Sequence, residues 1–122
     1  MSKPRFPQSV YGTGEEPDPR FSLANERTFL AWIRTGLALL AGAVALQALP
    51  NPMPGVLRLI TALVLVLTAL IVVLQAWIGW VRTERAMRED RPLPGPLATT
   101  PVTVSLIAVI ALVAFGLVWG NQ

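Results

Sequence analysis

Arg27 and Arg34, seven residues apart, are the residues of this sequence whose type and spacing most suggest chemistry. They belong to the stretch LANERTFLAWIRTGLALLAG, residues 23–42, most of which is typical of a membrane-spanning helix. Seven residues fall about 20° short of two helical turns, so both guanidinium groups lie on one face of the helix. An arginine inside a span is costly in lipid, which makes Arg34 a candidate functional residue that points into protein or water.

A second polar line occupies the next apolar run. Its members recur at intervals of seven: Thr61, Thr68, Gln75, Arg82 and Glu89. If the two helices are antiparallel, Gln75 lies as far inward from Arg82 as Arg34 lies from Arg27, so the two inner residues reach a similar depth. We therefore predict that Arg34 and Gln75 face each other or a shared cavity.

Glu26, at the mouth of the first helix, is predicted to pair with Arg82 or Arg85. Each of these residues also has a purely structural interpretation. Arg27, Arg82 and Arg85 would then set the membrane topology and extend to the lipid head groups. Glu26 would form only a salt bridge, and Gln75 would form a hydrogen bond between helices.

The elements that position these residues follow from hydropathy. The chain is 53% hydrophobic with a mean hydropathy of +0.56, which is typical of a small membrane protein. Apolar runs cover residues 28–49, 57–81 and 102–119, and all eleven prolines lie outside them. We predict an all-α membrane protein with three transmembrane helices, in contact with the lipid bilayer.

Local patterns add detail to this architecture. The short PNPMPG connection predicts a tight antiparallel hairpin of the first two helices, and residues 82–91 predict a helical extension of the second. On the first helix, the small residues Ala38, Ala41, Ala45 and Ala48 predict the packing face. The opposite side is predicted to face lipid and carries Phe29, Trp32, Leu39 and Leu46.

Charge distribution predicts the topology. Nine of the ten Lys and Arg residues fall on the side of the N-terminus and the second loop, and only Arg58 falls on the other side. This bias predicts a cytoplasmic N-terminus and an outer C-terminus. Residues 1–17, rich in Pro and Gly, predict a disordered cytoplasmic tail, and residues 18–122 predict a three-helix membrane domain.

Several classes of function lack support in the sequence. The chain has neither Cys nor His, which excludes thiolate and imidazole chemistry and the usual zinc sites. All seven carboxylates lie outside the apolar runs or at their edges, without an adjacent base or nucleophile. We expect no enzyme, no catalytic residue, no bound metal and no cofactor. Binding of nucleic acid is not expected either, because the arginines that raise the pI face lipid head groups.

The motif ANERTFLAWIRT, with the upstream DPR and the later ERAMREDRPLPGP, resembles the YidH-like family of small bacterial inner (plasma) membrane proteins, domain of unknown function 202. The resemblance extends from Asp18 over nearly the whole chain. The same three-helix domain resembles the membrane part of the vacuolar transporter chaperone complex, which makes polyphosphate and passes it across a membrane. This resemblance implies that a basic ring of several copies would be carried by Arg27, Arg34, Arg82 and Arg85, with Glu26 bracing them.

Two functional hypotheses of different classes follow. The first is an oligomeric, basic-lined module for passage of an anion, with phosphate or polyphosphate as the implied partner; three helices are too few to line a wide pore, which implies a homo-oligomer. The second is a non-transporting scaffold or accessory subunit that binds a partner protein or anionic lipids. Residues 82–91 have a net charge of only +1, which argues against a strong polybasic lipid site.

Overall fold

The structure, a computed structural model, describes residues 7–12, 14–93, 95 and 99–120. These residues form four helices and no strand: α1 (Gln8–Tyr11), α2 (Pro19–Ala48), α3 (Gly55–Arg88) and α4 (Thr99–Gly120). Helices α2, α3 and α4 are each long and apolar enough to cross a membrane. The predicted all-α fold with three membrane-spanning helices is therefore confirmed.

The ends of α2 are fixed by short polar contacts. At its start, Asp18 is the N-cap and accepts a hydrogen bond of 2.9 Å from the backbone N–H of Arg20, with Pro19 in the first turn. At its end, the Asn51 side chain donates to the carbonyl oxygen of Leu46 at 3.1 Å. This contact satisfies one of the carbonyl groups that a helix C-terminus leaves open.

Helices α2 and α3 form the predicted antiparallel hairpin. Gly36 permits their close approach, because a Cβ atom at this position would lie 3.0 Å from Cγ2 of Val73. The buried core continues across both helices and the start of α4, with the members Leu39, Ala43, Ala62, Leu65, Ala69, Val72 and Val102. Helix α3 continues to Arg88, which confirms a helical extension beyond the second apolar run but ends it three residues before the predicted limit at residue 91.

The face that α2 turns toward the core is the opposite of the predicted one. Leu39 and Ala43 are buried, and Trp32 and Leu46 pack against the core, whereas Ala38 and Ala41 are exposed. Small residues occur on both sides of this helix, and Gly36 with Ala43 already provide the close approach to α3. The stripe of alanines is therefore left on the outer surface of the chain.

The segment preceding α2 has a defined path over part of its length. The sequence predicts disorder over residues 1–17, whereas Gln8–Tyr11 forms the short helix α1, which packs against α3. Val10 is fully buried there, and the backbone N–H of Glu15 donates to the carbonyl oxygen of Arg88 at 2.9 Å. Residues 1–6 and 13 lie outside the described residues.

Candidate functional site

Arg27 and Arg34 lie together on the outer face of α2. Both are exposed, and neither side chain forms an ion pair or hydrogen bond with another described residue. Arg34 precedes the buried Gly36 by two positions and is therefore rotated about 200° from the face that packs on α3. Their common face, predicted from the spacing of seven, is the side of α2 that points away from the rest of the chain. We define the outer face of α2 by its exposed residues Arg27, Arg34, Ala38 and Ala41.

Arg34 and Gln75 lie at the same level but do not face each other. Gly36 lies against residues 69–73, and Asn25 reaches Trp80, so the antiparallel register places the two residues at similar depth. Gln75 is buried, however, and its Nε2 donates to the carbonyl oxygen of Val72 at 3.0 Å. The predicted Arg34–Gln75 pairing is wrong because Arg34 points away from α3.

Glu26 does not form the predicted pair with Arg82 or Arg85. It is exposed, and the carboxylate that joins the helix ends is Glu84, whose oxygens accept hydrogen bonds from Nδ2 of Asn25 at 3.1 Å and from the hydroxyl of Ser22 at 3.2 Å. Arg85 instead pairs with Glu89, four residues on, at 3.7 Å. The polar contact at this end of the hairpin therefore comes from the uncharged Asn25 and not from its charged neighbour Glu26.

Three arginines line a basic hollow at the end of α3. Arg82, Arg85 and Arg91 surround a volume of about 470 Å³, together with Ala86 and Pro92. Among the described residues, the carboxylate paired with this group is that of Glu89, which lies 2.7 Å from Arg91 and 3.7 Å from Arg85. Arg82 is exposed and forms no ion pair with a described residue. The basic hollow therefore has an excess of positive charge.

Arg88 belongs to a different network, on the side of the N-terminal segment. Its side chain is only 6% exposed and lies 3.4 Å from the carboxylate of Glu16. The guanidinium also donates to the carbonyl oxygen of Tyr11 at 3.2 Å and lies 5.5 Å from the centre of the Tyr11 ring. Arg88 thus fastens the segment before α2 to the end of α3 and does not face the basic hollow.

An amphipathic groove of about 260 Å³ lies beside the basic hollow, between α2 and α3. Its described lining is Asn25, Thr28, Phe29, Trp32, Gln75, Ala76, Gly79, Trp80, Arg82, Thr83 and Gly95. Arg82 lines both cavities and so connects them. The aromatic rings and methyl groups suit an apolar chain, whereas the guanidinium and hydroxyl groups suit an anionic head group.

Among the described residues, no group of three Asp or Glu side chains could hold a metal ion.

The fold and these cavities define a small helical membrane protein, and comparison with known proteins places it in a family. The family described as Domain of unknown function (DUF202) matches residues 20–86. The chain is 46% identical over 102 residues to the Inner membrane protein YidH of Escherichia coli (strain K12), which covers 81% of this chain and 89% of YidH. It is 45% identical over 109 residues to the Uncharacterized protein Rv2272 of Mycobacterium tuberculosis, with 84% and 88% of the two chains covered.

The chain therefore belongs to the DUF202 family, as the motif ANERTFLAWIRT predicts. No solved structure matches it. Its similarity to an inner membrane protein, together with the three helices that can span a membrane, confirms the predicted multi-pass inner-membrane location.

Proposed function

We propose that this protein is an oligomeric, basic-lined membrane module through which phosphate or polyphosphate passes. The observation that carries the proposal is the position of Arg34, which is exposed on the side of α2 remote from α3 and has no partner among the described residues. Arg34 lies six residues, about 9 Å, inside the predicted first span.

Lipid is a poor environment for this side chain. An arginine near the centre of a span costs roughly 2.5 to 3.5 kcal/mol on insertion scales, even after it extends toward the head groups. Arg34 is therefore expected to meet water, an anion or a second protein surface. Within one chain, the contacts of α2 with another spanning helix are with α3, so its outer face is open to such a surface.

Several copies of the chain would cover this face. Ala38 and Ala41 are exposed on the same side as Arg34, and small residues allow membrane helices of neighbouring chains to approach closely. Three helices of one chain are too few to enclose a polar passage, whereas outer faces from several chains could form a ring. Rings of arginine are the arrangement that channels use for anions and phosphate.

Arg27 would supply a second tier of the same ring. It lies on the same face as Arg34, about 10 Å nearer the N-terminal end of α2, so an anion could pass from one guanidinium to the next. Oxyanions bind guanidinium through paired hydrogen bonds, and a phosphate chain offers such oxygens along its whole length. The resemblance to the membrane part of the vacuolar transporter chaperone complex supports polyphosphate as the substrate class.

The test is flux of phosphate and short polyphosphate into proteoliposomes that hold the purified full-length chain. We expect flux with the wild-type protein, loss of at least about 10-fold with Arg34→Leu, and substantial retention with Arg34→Lys, because a lysine keeps the charge. The oligomer size of each sample is measured in parallel. Loss of flux in an equally well assembled Arg34→Leu protein supports an anion passage.

The matched control is Arg58→Leu, which removes the one basic residue predicted to lie at the opposite end of the helices and should leave the selectivity between phosphate and chloride unchanged. Absence of flux in wild-type proteoliposomes of correct oligomer size would overturn the proposal. It would favour the alternative of a scaffold or accessory subunit, in which Arg34 contacts a partner protein.

A further inference from the structure

We propose that the amphipathic groove between α2 and α3 binds one acyl chain of an anionic glycerophospholipid, whose phosphate is held by Arg82 at the boundary with the basic hollow. This site is separate from the outer face of α2 and does not depend on the proposed anion passage. The groove lies on the opposite side of α2, where α2 faces α3.

The order of side chains along the groove matches the order of groups along a phospholipid. Arg82 and Thr83 lie toward the end of α3, where a head group would sit. Trp32 and Ala76 line the part nearer the middle of the membrane, where an acyl chain would lie. A volume of about 260 Å³ is slightly smaller than pockets that enclose a whole drug-sized ligand, so the groove suits a part of a larger molecule.

The charges around the mouth favour an anion. Residues 82–91 have a net charge of only +1, and a count along the sequence therefore argues against a lipid site. The fold separates these charges: Glu84 is turned toward Asn25, and Arg88 is paired with Glu16. Of the described residues that line the basic hollow, three are arginines and none is a carboxylate; Glu89 pairs with Arg85 and Arg91, whereas Arg82 pairs with no described carboxylate.

The depth of the site fits the region of the lipid phosphates. Arg82 lies just beyond the second apolar run, which ends at residue 81, and six residues before the end of α3. The stacked rings of Trp77 and Trp80, 5.4 Å apart, lie further in by about one and a half turns at most, as aromatic residues at a membrane interface do. Basic pockets between helices at this level are typical binding sites for anionic lipid head groups.

A larger residue at position 79 would fill the groove without removing any side-chain contact, because Gly79 has no side chain. Gly79 lines the groove, and a Cβ atom at this position would meet no atom of the described residues within 4 Å, apart from its chain neighbours and the backbone of its own helix. In Gly79→Leu, the new side chain would occupy the space of the acyl chain, and the helix itself would gain from the loss of a glycine. Gly55→Leu is the matched control, since Gly55 also has open space but lies at the far end of α3.

The experiment measures retention of dioleoyl-phosphatidylglycerol and dioleoyl-phosphatidylcholine by the purified full-length protein in detergent, with native mass spectrometry. We expect preferential retention of phosphatidylglycerol by the wild-type protein. Arg82→Gln should lower the affinity for phosphatidylglycerol about 5-fold, because one positive charge near the head group is lost, and should lower that for phosphatidylcholine less, because the choline cation offsets the charge of its phosphate. Gly79→Leu should lower the affinity for both lipids about 10-fold, since displacement of two methylene groups suffices for that loss.

The control variants Gly55→Leu and Arg58→Gln should retain both lipids as the wild-type protein does. A further arm adds inorganic phosphate or glycerol phosphate as competitor. Displacement of phosphatidylglycerol by either at equal concentration would overturn the proposal, because the site would then recognise a free anion without an acyl chain. Unchanged lipid retention in Gly79→Leu, or in Arg82→Gln, would also overturn it.

Discussion

Asn25 on α2 and Glu84 on α3 share a hydrogen bond of 3.1 Å that joins the open ends of the two antiparallel helices. The same amide nitrogen donates to the carbonyl oxygen of Trp80 at 3.1 Å, and the hydroxyl of Ser22 donates to the other oxygen of Glu84 at 3.2 Å. Asn25 and Glu84 are both buried. The hairpin is therefore closed by the PNPMPG loop at one end and by this cluster at the other.

Glu84→Ala should lower the free energy of unfolding by about 1.5 to 3 kcal/mol, because two donors that bind a charged acceptor lose it. Glu26→Ala is the matched control. Glu26 is an exposed carboxylate at the same end of the hairpin, so its removal should change stability by less than about 0.5 kcal/mol. Unfolding of both purified variants in detergent micelles checks the prediction. Equal stability of the two variants would contradict the role assigned to Glu84.

The position of Asn25 on the packing face of α2 is predictable from the sequence, although the residue carries no charge. Gly36 and Ala43 follow Asn25 by eleven and eighteen positions, which are nearly whole numbers of helical turns, so the three residues share a face. Glu26 is rotated from that face by about 100°. The helical position therefore predicts Asn25 as the residue that contacts α3, whereas formal charge alone predicts its neighbour Glu26.

Hydropathy and proline were enough to predict the architecture, because a long apolar run has few alternatives to a membrane helix. The antiparallel hairpin also made the equal depth of Arg34 and Gln75 predictable. Small residues alone do not predict which face of α2 packs against α3. Gly36 and Ala43 lie inside the fold and Ala38 and Ala41 outside it, so size does not distinguish packing within a chain from packing between chains.

The start of α2 should depend on pH through Asp18. Hydrogen bonds from the side chain and then the backbone N–H of Arg20 lower the pKa of the Asp18 carboxyl from its usual value of 3.8. A lowered folded-state pKa means that the ionised cap contributes its stability above pH 3.8 and loses it as the pH falls through the lowered value.

Amide hydrogen exchange of residues 20–22 measures this dependence. Exchange should accelerate at acid pH in the wild-type protein, after correction for the intrinsic rate, and Asp18→Asn should remove the dependence while keeping a functional cap. An unchanged pH profile in Asp18→Asn would show that another group is responsible.

Side chains added at two glycines on facing helices should change the stability of the protein in opposite directions. Gly36→Val should destabilise the protein by about 1 to 3 kcal/mol, because a Cβ atom already approaches Val73 to 3.0 Å. Gly79→Ala should stabilise it by up to about 1 kcal/mol, since Ala favours the helix and has open space at this position. Thermal unfolding in one detergent compares the two variants. Destabilisation by both would mean that α3 has a closer neighbour at Gly79 than the groove allows.

The outer face of α2 should form the contact between copies of the chain. The sequence contains no cysteine, so single cysteines report on one position at a time. Ala38→Cys or Ala41→Cys should give disulfide-linked dimers in membranes, because both positions are exposed on the side of Arg34. Ala43→Cys, on the same helix but only 3% exposed against α3, should give none. Cross-linking at Ala43 in place of Ala38 would place the interface elsewhere and remove the basis for a ring of Arg34 side chains.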